Sequence, residues 1–315
     1  MPDWPKCFGS WVPPTDASQL PADYKEYYSE YRHQKNVRFA TYLDVLGFAK
    51  EAEILRNDTS ILVESDFNVF KTWTEYLNRL AGAIIGILII ITMISAWVFV
   101  REDKKLLMTT VITLIVVIFQ GWIGSVVVST NLMPWIITIH MLIALGIILL
   151  LVYVNFRVRR TDFNLATLRQ SKTISWLVIT CLLTMGVQII LGTQVREAVD
   201  IVASDLAYAL RETWVSQIGA EFFIHRSFSL LILLVHGLLV YFLLKNAEKT
   251  HAIRKAVIYI LILVGMEIAS GMVMAYMGIP AFIQPLHLLL STVLFGLLYY
   301  VFLLIHYSNK KTAIS

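Results

Sequence analysis

Seven apolar runs of about 20 residues recur along the chain, and they constrain its fold more than any other feature. As an α-helix, each run is long enough to cross the roughly 30 Å hydrocarbon core of a bilayer. Only 15% of the residues are charged, too few to cover a soluble domain of 315 residues. The sequence therefore predicts an all-α polytopic membrane protein, whose partners include membrane lipid and exclude nucleic acid. We place the spans near 79–100, 106–128, 134–156, 174–195, 222–244, 256–279 and 283–306.

The Lys and Arg residues of the connections predict which way the helices run. One set of connections holds 14 of them and the alternate set holds two. Because positive residues stay on the cytoplasmic side, the first set and the C-terminus face the cytoplasm. The first set is 101–105, 157–172, 245–255 and the tail after 307; the alternate set is 129–133, 196–221 and 280–282.

This topology leaves residues 1–77 outside, as a folded segment with one helical stretch near 40–55. The segment carries neither a signal peptide nor a transit peptide, so we expect a bacterial cell (inner) membrane. A long external segment normally follows a membrane helix. We therefore expect a further apolar helix ahead of residue 1.

The chain repeats itself at an offset of 147 residues, without a gap over more than 80 residues. The matches include polar residues that are rare inside a membrane, and the span boundaries coincide, so we infer a duplication. His225 is an exception, because its counterpart is Asn78. The matched pairs are Arg79–Arg226, Gln120–Glu267, Gly124–Gly271, His140–His287 and Tyr153–Tyr300.

The repeat predicts two pseudo-twofold-related four-helix bundle halves, of which the first has three spans here and the second has four. The missing partner of span 174–195 would precede residue 1, which agrees with the topology. The expected organisation is an external segment at 1–77, an N-terminal half-bundle at 78–160 and a C-terminal half-bundle at 161–315.

His225 and His287 lie near the external ends of their spans and are predicted to share one ligand in the C-terminal half. Two neutral imidazoles suit haem iron, copper or zinc, and haem fits best because no carboxylate or thiolate is expected beside them. Arg226 and Arg79 follow the ligand positions and could neutralise haem propionates. The alternative is that the histidines only hydrogen-bond between helices. His236, three turns deeper, is predicted to be a packing or hydrogen-bonding residue.

His140 lies at the equivalent depth in the first half. With Asn78 in place of a second histidine, it could hold a second haem by one protein ligand, which suits a substrate more than an electron carrier. Glu75 shares a helix face with Asn78 if the helix begins early enough, and its carboxyl could relay protons. The alternatives are a structural histidine and a carboxylate at a helix start.

The motifs of this chain resemble those of the haem A synthases over essentially the whole sequence. The first is Pro2-Asp3-Trp4-Pro5-Lys6-Cys7-Phe8-Gly9, and the second runs from Glu75 to Gly82 as Glu-Tyr-Leu-Asn-Arg-Leu-Ala-Gly. The others are Gln120 to Gly124 with Pro134-Trp135 and His140, then Leu191 to Arg196, His225-Arg226, and Gln284-Pro285-Leu286-His287.

The resemblance implies an eight-helix enzyme that oxidises the C8 methyl of haem O to a formyl group, supplying haem A to terminal oxidases. It implies a haem b cofactor on His225 and His287, haem O as substrate in the first half, and Glu75 as the essential glutamate. It also implies a need for molecular oxygen and an electron donor. A haem O synthase is the expected source of substrate, and a homo-oligomer is compatible with the sequence.

Three features depart from the family: Asn78 stands where many members have histidine, the external segment has one cysteine where some carry a pair, and the first helix is absent. Two other functions remain open. A di-haem b-type electron-transfer cytochrome explains His225 and His287 equally well. A haem transporter or chaperone is less well supported, because the repeats are parallel and the helices are unbroken.

Overall fold

The computed structural model describes residues 6–7, 10–64, 66–130, 132–159, 171–246 and 251–312. These residues form ten α-helices and three short 3₁₀ helices, and contain no strand beyond one isolated bridge between Cys7 and Ser10. The predicted all-α polytopic fold is confirmed. The helices are α1 (Tyr24–Val45), α2 (Ala49–Asn57), α3 (Val69–Trp97), α4 (Lys104–Ser129), α5 (Pro134–Arg159), α6 (Ser171–Asp205), α7 (Trp214–Gln217), α8 (Ala220–Asn246), α9 (His251–Tyr276) and α10 (Ile283–Thr312).

Seven of the helices in this part of the chain, α3 to α6 and α8 to α10, are long and apolar enough to cross a membrane. The shortest have 26 residues, which at about 1.5 Å per residue gives roughly 39 Å. Large apolar side chains such as Ile84, Leu88 and Ile91 are exposed on their surfaces. Lipid tails cover such side chains at no hydrophobic cost, so the chain is a multi-pass membrane protein.

Helix α3 begins well before the span predicted near residue 79. Asn68 caps it, because its side chain accepts a hydrogen bond from the backbone N–H of Lys71 at 3.0 Å. Polar residues such as Lys71 and Glu75 interrupt its first turns, so these turns lie outside the apolar run from which the span was predicted. Glu75, Asn78 and Arg79 are consequently all helical.

The external segment holds two helices instead of the single stretch predicted near 40–55. Helix α1 ends at a turn where Gly47 has a φ of +87°, a conformation that glycine adopts without strain. Helix α2 follows the turn. Helix α1 was missed because its polar and aromatic residues form no helical apolar stripe. Apolar residues of both helices bury against the C-terminal part of α4 and the N-terminal end of α5, in a cluster of Phe39, Ala40, Leu43, Ala52, Leu55, Ile61, Ile123, Val126 and Ile136.

A buried ion pair holds the segment before α3 against the end of α4. The Arg32 guanidinium lies 2.6 Å from the Glu64 carboxylate and also donates to the backbone carbonyl of Val128 at 3.1 Å. Val128 belongs to α4. One arginine thus joins α1, the chain leading to α3, and the C-terminal end of a membrane helix.

The chain divides within α5 into two compact units, residues 1–147 and 148–315. In the second unit, α6, α8, α9 and α10 pack around one continuous apolar core. Cys181 is fully buried in that core, which confirms it as a packing residue. The most deeply buried members are Ile174, Val178, Leu239, Leu243, Ile260, Leu298, Val301 and Ile305.

Candidate haem site

His287 lies in the second turn of α10, where two side chains of α9 hold its ring. Its Nδ1 lies 2.8 Å from Oε2 of Glu267 and 2.7 Å from Oγ of Ser270. The second carboxylate oxygen of Glu267 accepts a hydrogen bond from Ser291, one turn further along α10, at 2.8 Å. The imidazole is therefore fixed through Nδ1, and Nε2 is the nitrogen left to ligate.

Glu267 corrects one expectation, since no carboxylate was expected beside the histidine pair. It occupies this position because it lies one turn before Gly271, on the face of α9 that meets His287. In the described part of the chain, no group of three or more His, Cys, Asp or Glu side chains could hold a metal ion. The carboxylate thus supports the histidine and does not complete a zinc-type ligand set.

His225 lies in the second turn of α8 and packs against α6. The side-chain amide of Gln188 donates to the backbone carbonyl of His225 at 3.2 Å, and a Cβ on Gly192 would lie 3.4 Å from Cε1 of the ring. The His225 Nδ1 atom is buried and has no hydrogen-bond partner among the described residues.

His140 has the same surroundings in the first unit. Gln120 donates to the backbone carbonyl of His140 at 2.9 Å, and a Cβ on Gly124 would lie 3.2 Å from Cε1 of the ring. The Nδ1 of His140 is likewise buried without a partner among the residues the structure describes. Gln120 and Gly124 thus serve a contact between α4 and α5.

One arrangement therefore occurs three times: a Gln or Glu, a glycine one turn later, and a histidine on the neighbouring helix over that glycine. The repeat predicted two of the three. The pairing of Gln188 with Gly192 in α6 was not predicted, although their spacing equals that of Gln120 and Gly124 and was a usable signal. Ser270 and Ser291 were also missed, because nothing in their spacing distinguishes them from other helix serines.

The polar residues of α3 lie one turn apart. Glu75 and Arg79 form an i, i+4 ion pair, in which the arginine is the more buried partner. Asn78 is exposed on the same helix. In α8, Arg226 lies over the rings of Phe222 and Phe223, 5.7 and 5.4 Å from their centroids. The structure thus joins Glu75 to Arg79 and His287 to Glu267, while His225, His140 and Arg226 contact other neighbours.

His236 takes no part in these contacts. It is 2% exposed, and its Nδ1 donates to the carbonyl of Ile232 at 2.8 Å. The prediction that it is a hydrogen-bonding residue of the core is confirmed. Its Nε2 has no partner in the described part of the chain.

Sequence comparison places these residues in a known family. The profile of the family described as cytochrome oxidase assembly protein matches residues 47–299, which contain all of the candidate site residues. The chain belongs to this family. The resemblance to the haem A synthases is thereby confirmed.

Curated relatives carry the name haem A synthase. The protein of Wolbachia from Brugia malayi is 29% identical over 246 residues, covering 70% of each chain. That of Bartonella tribocorum is 23% identical over 61% of this chain and 59% of its own length. That of Listeria monocytogenes is 21% identical over 75% of this chain and 79% of its own. No solved structure matches the chain significantly.

The residues present fit a haem, which the family implies. His287 keeps Nε2 free for iron, since Nδ1 is taken by Glu267 and Ser270. Each ring packs against a glycine of the helix behind it, since a Cβ on Gly192 or Gly271 would lie in van der Waals contact with Cε1, at 3.4 and 3.7 Å. His225 offers a buried imidazole whose Nδ1 has no partner among the described residues. A pair of histidines on separate helices, without a third ligand, is typical of a six-coordinate haem.

Proposed function

We propose that this protein is a haem A synthase, an oxidoreductase that converts the C8 methyl of haem O into a formyl group. The observation that carries the proposal is that His225 and His287 are each set over a glycine, Gly192 and Gly271, in a chain of this family. The two oxidations consume molecular oxygen and electrons from a donor. Terminal oxidases would receive the product.

His225 and His287 would hold a haem b cofactor between α8 and α10. When bound, this haem supplies one-electron redox chemistry. The chain itself orients the two imidazoles, through Gln188 on one side and Glu267 with Ser270 on the other. Arg226 lies next to His225 in sequence, where it could neutralise a propionate.

His140 would bind the substrate haem in the first unit, with its ring set over Gly124. Asn78 is exposed on α3 and would stand where a second ligand is expected; amide groups ligate haem iron poorly, so the substrate would have one protein ligand. Arg79 would meet the substrate propionates. Arg79 also forms an ion pair with Glu75, the proposed catalytic carboxylate.

Glu75 would hold and move the proton that the methyl oxidation releases. Its carboxylate is held by Arg79 and would accept a proton from a neighbouring group. The helix positions it one turn from Asn78 and Arg79, on the face assigned to the substrate. The ion pair would also keep the carboxylate from rotating away.

We further propose that both haem sites face the external side of a bacterial membrane and that the C-terminus is cytoplasmic. The support is the excess of Lys and Arg in one set of connections. A haem O synthase would supply the substrate in the same membrane.

Pigment extraction tests the function. Membranes from cells lacking the gene should lose haem A and accumulate haem O, and the intact gene should restore haem A. Unchanged haem A in the deletion strain would contradict the proposal.

One observation favours the alternative of a di-haem electron-transfer cytochrome. His140 has the same glycine contact and the same glutamine as His225, so the first unit could hold a permanent haem. In that case the deletion would leave the haem A content unchanged and would slow electron transfer from quinol.

A further inference from the structure

Glu267 carries a carboxyl group in the middle of a membrane-spanning helix, and both of its oxygens are engaged by α10. Oε2 contacts Nδ1 of His287 and Oε1 accepts from Ser291, each at 2.8 Å. The side chain is 14% exposed. A carboxylate at this depth is costly, which makes a functional role the default expectation.

The hydrogen bonds around His287 define its tautomer. The Ser270 hydroxyl donates to the backbone carbonyl of Glu267 at 3.0 Å, so its lone pairs face Nδ1 of His287 at 2.7 Å. The carboxylate oxygen is an acceptor as well. With two acceptors beside it, Nδ1 must carry the proton, and the lone pair on Nε2 is left for iron.

The other two histidines lack this contact. Gln120 and Gln188 reach the backbone carbonyls of His140 and His225, and no described residue bonds to the Nδ1 atoms of those rings. The arrangement therefore has a neutral amide at two of its three positions and an acid at the third. The amide nitrogen of Gln188 lies 3.5 Å from Nε2 of His225, and of these three side chains only Glu267 contacts Nδ1 of its histidine ring.

We propose that Glu267 is a positioning residue that polarises His287 and lowers the reduction potential of the haem held by His225 and His287. A carboxylate that accepts the Nδ1 proton makes the imidazole a stronger donor to iron. Stronger donation and a nearby negative charge both favour ferric over ferrous iron. The inference rests on the proposed haem site, but not on the conversion of haem O.

Potentiometric titration of the purified, haem-loaded protein tests this role. Glu267→Gln keeps the shape and an acceptor oxygen but removes the charge, so the midpoint potential should shift to a more positive value with the bis-histidine spectrum retained. The matched control is Glu221→Gln, which removes an exposed carboxylate from the first turn of α8. Solvent screens that charge, and the potential should stay at the wild-type value.

A second variant should shift the potential in the opposite direction. Ser291→Ala removes the hydrogen bond to Oε1, which concentrates the negative charge on the oxygen that faces His287. Its midpoint potential should fall below the wild-type value. A purely structural role for Glu267 predicts no shift, or shifts of the same sign in both variants.

The outcomes separate this inference from the proposed function. Equal potentials in haem-loaded wild type, Glu267→Gln and Ser291→Ala would overturn the role of Glu267 alone. If Glu267→Gln fails to retain haem, the Ser291→Ala titration decides, and a potential that does not fall overturns the proposal. A wild-type protein that shows no bis-histidine spectrum would overturn the haem site itself. Failure to make haem A, with the potentials shifted as expected, would overturn only the function.

Discussion

Gly124 and His140 meet so closely that a Cβ on the glycine would lie 3.2 Å from Cε1 of the imidazole. The corresponding distance from Gly271 to His287 is 3.7 Å, an ordinary van der Waals contact. The contact between glycine and histidine is thus tighter in the first unit than at the equivalent position in the second. A methyl group fits on Gly271, whereas on Gly124 it would press against the ring of His140.

We expect Gly124→Ala to displace the His140 ring and weaken binding of the substrate haem. Gly271→Ala is the matched control, since its methyl fits, and it should keep the cofactor spectrum and wild-type haem A production. Titrating the purified variants with haem O measures the difference. Equal affinity for haem O in wild type and Gly124→Ala would show that this contact does not position His140.

His225→Ala and His287→Ala should each abolish the low-spin haem b spectrum of the purified protein. Each change removes one of two axial ligands from iron, and no third ligand group is present in the described residues to replace it. His236→Ala is the control, because His236 bonds to the carbonyl of Ile232 and not to the proposed site. An unaltered bis-histidine spectrum in both single variants would refute the ligand assignment.

Glu75→Gln should leave the cofactor spectrum intact while haem A production falls at least about tenfold, the scale of a lost proton-transfer group. Glu53→Gln, an exposed carboxylate of α2, should have wild-type production. Pigment extraction from complemented cells gives the readout. Wild-type turnover in Glu75→Gln would reduce the residue to a partner of Arg79 at the start of α3.

Arg32→Ala should loosen the external segment, because it leaves the Glu64 carboxylate buried without its partner. Breaking such a pair costs about 3–5 kcal/mol, and here the bond to Val128 is lost too. Limited proteolysis of the folded protein should cut the segment faster. Lys25→Ala breaks only the exposed pair with Asp66, so the cleavage rate should not change.

The membrane spans could be predicted because each is a long apolar run, and hydropathy does not depend on tertiary contacts. The start of α3 could not be predicted, because polar residues interrupt its first two turns. Its first residue is set by the side-chain hydrogen bond of Asn68, which hydropathy does not reveal. Helix α1 lacks any apolar periodicity. It is held by tertiary contacts of Phe39 and Leu43 that a single sequence does not reveal.

The candidate site could likewise be predicted from the sequence only in part. His140 and His287 were found because the repeat relates them, and His225 because it lies near the end of its span, at the same predicted depth as His287. The Gln188–Gly192 pair has no counterpart in the first half of this sequence, so the repeat could not point to it. That Glu267 reaches the ring of His287, while Gln120 reaches a backbone carbonyl, depends on side-chain geometry that spacing does not specify.

Production of haem A by the protein alone tests the central claim most directly. The chain would be expressed with a haem O synthase in a bacterial host that makes no haem A. The extracted haems would be separated by chromatography and their masses measured by mass spectrometry. We predict a new haem whose mass corresponds to conversion of one methyl to a formyl group, absent when Glu75→Gln replaces the wild type. Unmodified haem O beside a fully loaded bis-histidine haem would contradict the account and identify an electron-transfer cytochrome.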